Sequence, residues 1–193
     1  MGQLSLAGTR LHHFHICALF ESPEEELGVL GPFVKQGLDQ REKSISIVAP
    51  DALQEYRLHL RAMNIDVADC EACGQLEVVP WTQAYLDAQG VFDRDRMLRT
   101  LEEMLSSSTR DGYLGTRIIG DMGWIFSAGG GRDTLIEYEA GVNALLCTHQ
   151  QPAVCVYDVS RLSGQMLLDL LATHPLALIG GTVRNSPFYG RRA

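Results

Sequence analysis

Three groups of side chains in this sequence have types and spacings that chemistry uses. His12, His13 and His15 form an HHxH cluster. On an extended chain alternate side chains share a face, so His13 and His15 would point together and His12 away from them. Imidazole binds transition metals, but a site needs further ligands that converge. Cys70 and Cys73 form a CxxC. A zinc site needs two more ligands, and a redox pair sits at a helix start after a strand. This pair stands before a strand with no second CxxC, so it reads as a loop with two incidental thiols. Neither group defines a metal site or a cofactor. The third group is acidic, with Glu21 and Asp121 at strand ends, where carboxylates can support metal-assisted chemistry. No G-x-S-x-G elbow and no Cys–His pair at a strand end accompany them, so the expectation is a chain that is not an enzyme.

The elements that position these residues follow from periodicity. His15–Phe20 is a short apolar strand that runs into Glu21. Ser22 then reads as an N-cap, with Pro23 at the first helical position and Glu25 completing a capping box on the positive helix end. Leu27, Leu30, Val34 and Leu38 continue at helical spacing, although Gly28, Gly31 and Pro32 should kink or shorten that helix. Further strands are predicted at Ser44–Ala49, Leu76–Val79, Thr116–Gly120, Ala153–Tyr157 and Leu176–Ile179. Helices are predicted after Pro50-Asp51 to Asn64, from the Asp93 cap to a break at Ser106–Gly112, over Thr134–Leu146, and over Ser160–Thr173. Gly129–Gly131 reads as a flexible link. Alternating strands and helices imply an α/β fold, a mostly parallel sheet with helices on both faces.

In such a sheet, ligands gather at the carboxyl ends of the strands. Those ends carry Glu21, Pro50-Asp51, Asp121–Trp124 and Tyr157-Asp158, an acidic and aromatic rim. Trp124, Tyr157 and Tyr189 would supply apolar surface, and His15, Asp121 and His174 would set polarity and orientation. Each has a structural alternative. In that alternative His15 only bonds backbone, Asp121 caps a turn, Trp124 and Tyr157 fill core, and His174 ends a helix near its negative pole. Glu139 and Asn143, one turn apart, suggest a structural hydrogen bond.

The order of these segments resembles the MEDS family, the sensory domains of methanogens and methylotrophs. The residues that carry the likeness are His15–Leu27, Pro32-Phe33, Gly37-Leu38, Gly74–Leu76, Gly120–Met122 with Trp124, Tyr138-Glu139, Asn143, Cys155–Asp158, Thr173–Pro175, Asn185 and Phe188-Tyr189. The resemblance implies a single sensory domain over 12–189, with 1–11 and 190–193 as short tails. It also implies a RecA-like three-layer arrangement similar to the circadian-clock ATPases. Those ATPases place GxxxxGK[ST] after the first strand, where backbone N–H groups and a lysine hold phosphate. The matching residues here, Phe20–Glu26, contain four carboxylates and no glycine or lysine. There is no Walker A loop, and phosphate would be repelled rather than held.

Whole-chain composition agrees with a binding module. At 193 residues, 46% hydrophobic and 21% charged, the chain can bury one sizeable core. A net charge of −8 without a Lys/Arg stripe argues against direct nucleic-acid contact. No signal-peptide pattern and no membrane-length apolar run are present, so the expected location is the cytoplasm, with five cysteines and no structural disulfide. The resemblance implies binding of a small organic molecule, such as a hydrocarbon derivative. It also implies relay to a histidine kinase or transcription regulator, or to a second copy in a homo-oligomer. Family members are often fused to such partners, and this length leaves room for neither, so action as a separate subunit is expected. Two alternatives remain open: a degenerate P-loop-type enzyme using Asp121 and Glu21, and a pure protein-interaction module.

Overall fold

The computed structural model describes residues 4–127 and 131–190. Two short strands, β1 (Ser5–Leu6) and β2 (Thr9–Arg10), pair antiparallel. The segment expected as a tail is thereby a hairpin, held because Leu6 and Leu11 are buried and Ser5 Oγ accepts from Gln36 Nε2 at 3.0 Å. The chain then runs through β3 (His15–Phe20), α1 (Pro23–Asp39), β4 (Lys43–Val48), α2 (Leu53–Ala62), α3 (Val67–Ala72) and β5 (Leu76–Pro80). A four-residue helix, α4 (Trp81–Ala84), precedes α5 (Arg94–Arg110), β6 (Thr116–Asp121), a 3₁₀ turn at Met122–Phe126 and α6 (Arg132–His149). The last elements are β7 (Ala153–Asp158), α7 (Gly164–Thr173), β8 (Leu176–Ile179) and β9 (Thr182–Asn185).

Seven strands form one sheet in the order β5-β4-β6-β7-β3-β8-β9, parallel except for β9. Side chains alternate between its faces, so β3 sends Ile16, Ala18 and Phe20 to one core and Cys17 and Leu19 to the other. The first core is closed by Leu30, Phe33 and Val34 of α1 with Tyr56 and Leu60 of α2. The second is closed by Met97 and Leu101 of α5, Leu135, Tyr138 and Val142 of α6, and Leu170 of α7. Burial on both faces is why the strands read as unbroken apolar runs. The expected α/β, three-layer arrangement is what the chain adopts.

Several local expectations give way to packing. Helix α1 continues through Pro32, because the carbonyl left without a donor belongs to Gly28 and both residues are exposed to solvent. Its glycines sit at close approaches instead: a Cβ on Gly31 would lie 2.6 Å from Met63 Sδ, and one on Gly37 2.8 Å from Arg117 Cδ. The expected break at Ser106 does not occur, since the Ser107 and Ser108 hydroxyls bond back to the Met104 and Leu105 carbonyls within α5. Cys70 lies in α3 rather than a loop, with Cys73 as its C-cap, because Asp66 caps that helix by accepting from Asp69 N. Helix α7 starts at Gly164, behind the Ser163 cap, rather than at Ser160. Two glycines of the predicted link, Gly129 and Gly130, lie outside the described residues, and Gly131 is the N-cap of α6.

One charged side chain crosses the first core. Arg117 of β6 is fully buried; it donates to Glu42 at 2.5 Å, to the Phe33 carbonyl at 2.8 Å and to Gln36 Oε1 at 2.9 Å. It thereby fastens α1 to the sheet through five polar or aromatic contacts of one guanidinium, the Phe33 ring and Gln40 included. Removing one partner of a buried pair leaves the others without a mate and typically costs about 3 kcal/mol. Arg117→Ala is therefore expected to lower the unfolding free energy by about 3 kcal/mol in urea melts, whereas an exposed-pair change such as Lys35→Ala should move it by less than about 0.5 kcal/mol.

Candidate functional site

The carboxyl ends of β3, β4, β6 and β7 enclose a cleft of about 400 Å³. Phe20 to Pro23 and Glu26 form one wall, Ala49 to Asp51 another, and Asp121 to Gly123 with Tyr157, Asp158 and Arg161 close the rest. A smaller recess of about 140 Å³ continues from Glu26 and Asp121 toward Tyr56, between α1 and α2. The α1 N-terminus, which in a phosphate-binding protein would face an anion, satisfies itself. Ser22 Oγ accepts from Glu25 N at 3.2 Å, Glu25 Oε2 accepts from Glu21 N at 3.0 Å, and Pro23 has no N–H to offer.

The charge in the cleft is unusual in kind as well as sign. Glu26 is pushed up to about 7, first by burial and then by the neighbouring Asp121. Burial also pushes Asp121 above the ordinary carboxylate range, against the Gly123 N–H it accepts at 2.6 Å and the Arg161 guanidinium. A half-buried pair of carboxyls sharing less than two charges can donate as well as accept a hydrogen bond. Arg161 caps the mouth with its guanidinium 4.2 Å over the Phe126 ring.

The residues singled out in the sequence divide among several places. Glu21, Asp121 and Tyr157 line the cleft. Trp124 does not: it is fully buried, stacked between Phe92 at 4.1 Å and Tyr85 at 5.4 Å and edge-on to Tyr138. A ring that size beside β6 fills the second core better than it lines a wet cleft. His15 and His174 also lie away from the cleft, because His15 opens β3 and His174 precedes β8, both at the amino ends of the strands. Tyr189 is nearly half exposed and receives a hydrogen bond from Asn143 Nδ2 at 3.0 Å, so Asn143 bonds Tyr189 rather than Glu139. His12 and His13 are exposed and outside β3, so the HHxH spacing does not gather three rings.

His15 and His174 instead meet Glu139 of α6 in a closed cluster under β3 and β7. Glu139 Oε2 is 3.1 Å from His15 Nε2 and 3.4 Å from His174 Nε2, and its Oε1 accepts from Tyr157 O–H. Cys155 Sγ lies 3.4 Å from His15 Nε2 and 3.5 Å from Glu139 Oε2. The two imidazole centroids are 3.8 Å apart, and all four residues are buried. Burial and the adjacent His174 push His15 down to about 4, despite Glu139. Burial alone would raise Glu139, but His174 and His15 outweigh it and hold the carboxyl below its usual range. Glu139 and Cys155, together with Glu26 in the cleft, carry chemistry that the sequence reading did not assign to sites. Glu139 and Cys155 each stand as a polar residue in an otherwise apolar stretch, and Glu26 ends the acidic run that opens α1.

With this geometry in hand, the family model for the methanogen/methylotroph DcmR sensory domain, MEDS, matches residues 14–175. The chain belongs to the MEDS family. It is similar to the transcriptional repressor DcmR of Methylorubrum extorquens, 31% identical over 169 residues. That match covers 84% of this chain and 58% of the repressor, so the chain spans little more than half of that relative. Among solved structures, a KaiC-like protein from Pyrococcus horikoshii OT3 superposes with a TM-score of 0.62 at 11% identity, covering 85% of this chain and 69% of that one. This likeness shows that the MEDS chain has a RecA-type fold. Among the described residues no helix is long and apolar enough to cross a membrane.

Glu26 makes a stability prediction with a definite sign. Its folded-state pKa of about 7 exceeds the ordinary 4.5, so the native state holds the proton more tightly and stability falls as pH rises from about 4.5 to 7. Glu26→Gln, which cannot ionise, is expected to be about 2 kcal/mol more stable than wild type at pH 8, the gap closing below about pH 4.5. Urea unfolding across that pH range measures it.

Proposed function

We propose that this MEDS chain is the sensing part of a regulatory system and that the strand-end cleft receives a small organic molecule. The observation that carries the reading is the self-capped, carboxylate-lined start of α1 beside a cleft large enough for such a ligand. Two unit charges about 4 Å apart interact by roughly 4 kcal/mol at an effective dielectric near 20, so Glu21, Glu26, Asp51 and Asp121 disfavour a nucleotide polyphosphate. A neutral or weakly polar compound, including a hydrocarbon derivative, escapes that penalty. Phe20, Met122 and Phe126 offer it apolar surface, and the Glu26–Asp121 pair offers it one polar anchor.

Binding becomes a signal only when the ligand prefers one conformation, whose altered surface a transcription regulator, a histidine kinase or a second copy then reads. The repressor named among the relatives supports a transcriptional partner. The chain itself is non-catalytic in this reading, since its acidic groups are used for capping, turn formation and ligand polarity rather than for holding a metal-bound phosphate.

A thermal-shift screen of one-carbon and short-chain organic compounds tests it. A true ligand at 100 times its dissociation constant adds about 2.7 kcal/mol of stability, a shift of roughly 5–10 °C for a domain of this size. Ala49→Phe, which narrows the cleft, and Asp121→Asn should each reduce that shift. A shift with ATP and Mg²⁺ and none with any organic compound would instead support the degenerate-ATPase alternative.

A further inference from the structure

We propose that the buried cluster of His15, Glu139, Cys155 and His174 is a binding site for one divalent transition-metal ion of the zinc type, separate from the strand-end cleft. Four donor atoms, one from each residue, lie within 4.8 Å of one another. Zinc bonds its nitrogen, oxygen and sulfur ligands at roughly 2.0–2.3 Å, so a tetrahedral site has edges of roughly 3.3–3.7 Å between donors. The contacts of 3.1 Å (His15 to Glu139), 3.4 Å (His15 to Cys155), 3.5 Å (Cys155 to Glu139) and 3.4 Å (His174 to Glu139) are close to those edges. Small rotations of the side chains would admit an ion at the centre.

The surroundings hold two of the donors, His174 and Glu139, as a metal site requires, and the ion would replace the proton between His15 Nε2 and Glu139 Oε2. His174 Nδ1 is 2.8 Å from the Leu170 carbonyl, to which it donates, so Nε2 carries the lone pair. That Nε2 is fully buried, faces the cluster and completes no hydrogen bond. Tyr157 O–H occupies Glu139 Oε1 and leaves Oε2 for the ion. A divalent cation with the Glu139 carboxylate and a Cys155 thiolate sums to zero net charge, whereas without it an ionised carboxylate stands in a dry interior. Two imidazoles, a thiolate and a carboxylate are the donor set of zinc rather than of magnesium or calcium, which take oxygen.

The cluster lies next to a surface recess of about 150 Å³, lined by His12, His13 and Tyr189 among others and by His15 itself. The Tyr189–Asn143 hydrogen bond lies across this recess, the residues it joins both being among its lining.

Cobalt(II) serves as the probe, because a thiolate ligand gives it a charge-transfer band and tetrahedral geometry gives it intense visible bands. Metal-depleted full-length protein is expected to bind one Co²⁺ per chain with both sets of bands, and Zn²⁺ should displace it. A variant with Cys70→Ser, Cys73→Ser and Cys147→Ser, all away from the buried cluster, should keep the spectrum. Cys155→Ser should lose the charge-transfer band, and His174→Ala should weaken Co²⁺ binding by at least about a hundredfold. No uptake by the folded wild type would overturn the proposal and leave a purely hydrogen-bonded cluster. A charge-transfer band that disappears in the triple-cysteine variant would also overturn it, by placing the metal on the CxxC. Should Cys155→Ser not fold, the wild-type stoichiometry and the triple-variant spectrum decide the matter alone.

Discussion

The carboxylate of Glu139 is the interaction around which half of this molecule is arranged. It sits on the face of α6 that also carries Leu135, Tyr138, Val142 and Leu146, in a helix otherwise applied to the sheet by apolar contact. A buried ion costs several kcal/mol unless donors reach it. Those donors come from β3 and β7, through His15 and Tyr157, with His174 from the end of α7 lying 3.4 Å from the carboxylate. Sliding α6 by one turn would keep an apolar face on the sheet but strand the charge. The carboxylate therefore sets the register of α6, which the hydrophobic side chains alone would leave degenerate. Burial first, and then the adjacent His174, keep His15 in its neutral form in spite of the carboxylate.

On the opposite edge of the sheet the constraint is reversed. The amino end of α1 would attract an anion through its free N–H groups and dipole. Here Ser22, Glu25 and Pro23 consume or remove those donors locally. Of the carboxyls that remain, Glu26 is raised by burial and by the neighbouring Asp121, and Asp121 by burial and by Asp51. This RecA-type sheet thus carries a strand-end cleft whose rim is acidic. The cleft's position is set by strand order and the chemistry of its rim by a few side chains.

What could be read from the sequence divides along the same line. The βα alternation, the Ser22 cap, the Asp93 cap and the acidic strand ends at Glu21 and Asp121 are all local patterns, and local patterns survive folding when nothing larger opposes them. Proline 32 misled because helix continuity depends on whether the freed carbonyl faces water, a property of the fold. The His–Glu–Cys–His cluster was not legible because its members come from β3, α6, β7 and the end of α7, and no spacing links positions 15, 139, 155 and 174. The sequence groups His15 and His174 with the residues of the carboxyl strand ends, whereas the fold sets both at the amino ends of the strands. A parallel strand carries no mark of which of its ends a flanking polar residue will serve. Trp124 shows the converse limit, since an aromatic next to a strand end is equally consistent with pocket and core until its neighbours Phe92 and Tyr85 are placed.

Tyr157 is the one residue that belongs to both regions, lining the cleft at the end of β7 and donating its hydroxyl proton to Glu139. Contiguity of this sort is not coupling. A molecule in the cleft changes the cluster only by binding more tightly when the Tyr157–Glu139 bond is in one of two states, and its influence is limited to that difference in affinity. The relation is reciprocal, so whatever occupies or protonates the cluster must shift cleft affinity by the same factor. Glu139 is the group more sensitive to the loss of a partner than the cleft carboxyls. Losing one donor leaves a charge stranded in a dry interior, while Glu26 and Asp121 can take up a proton or a water at the rim. The stiff part of this chain is therefore its buried ion, and the adaptable part is the acidic edge of the cleft.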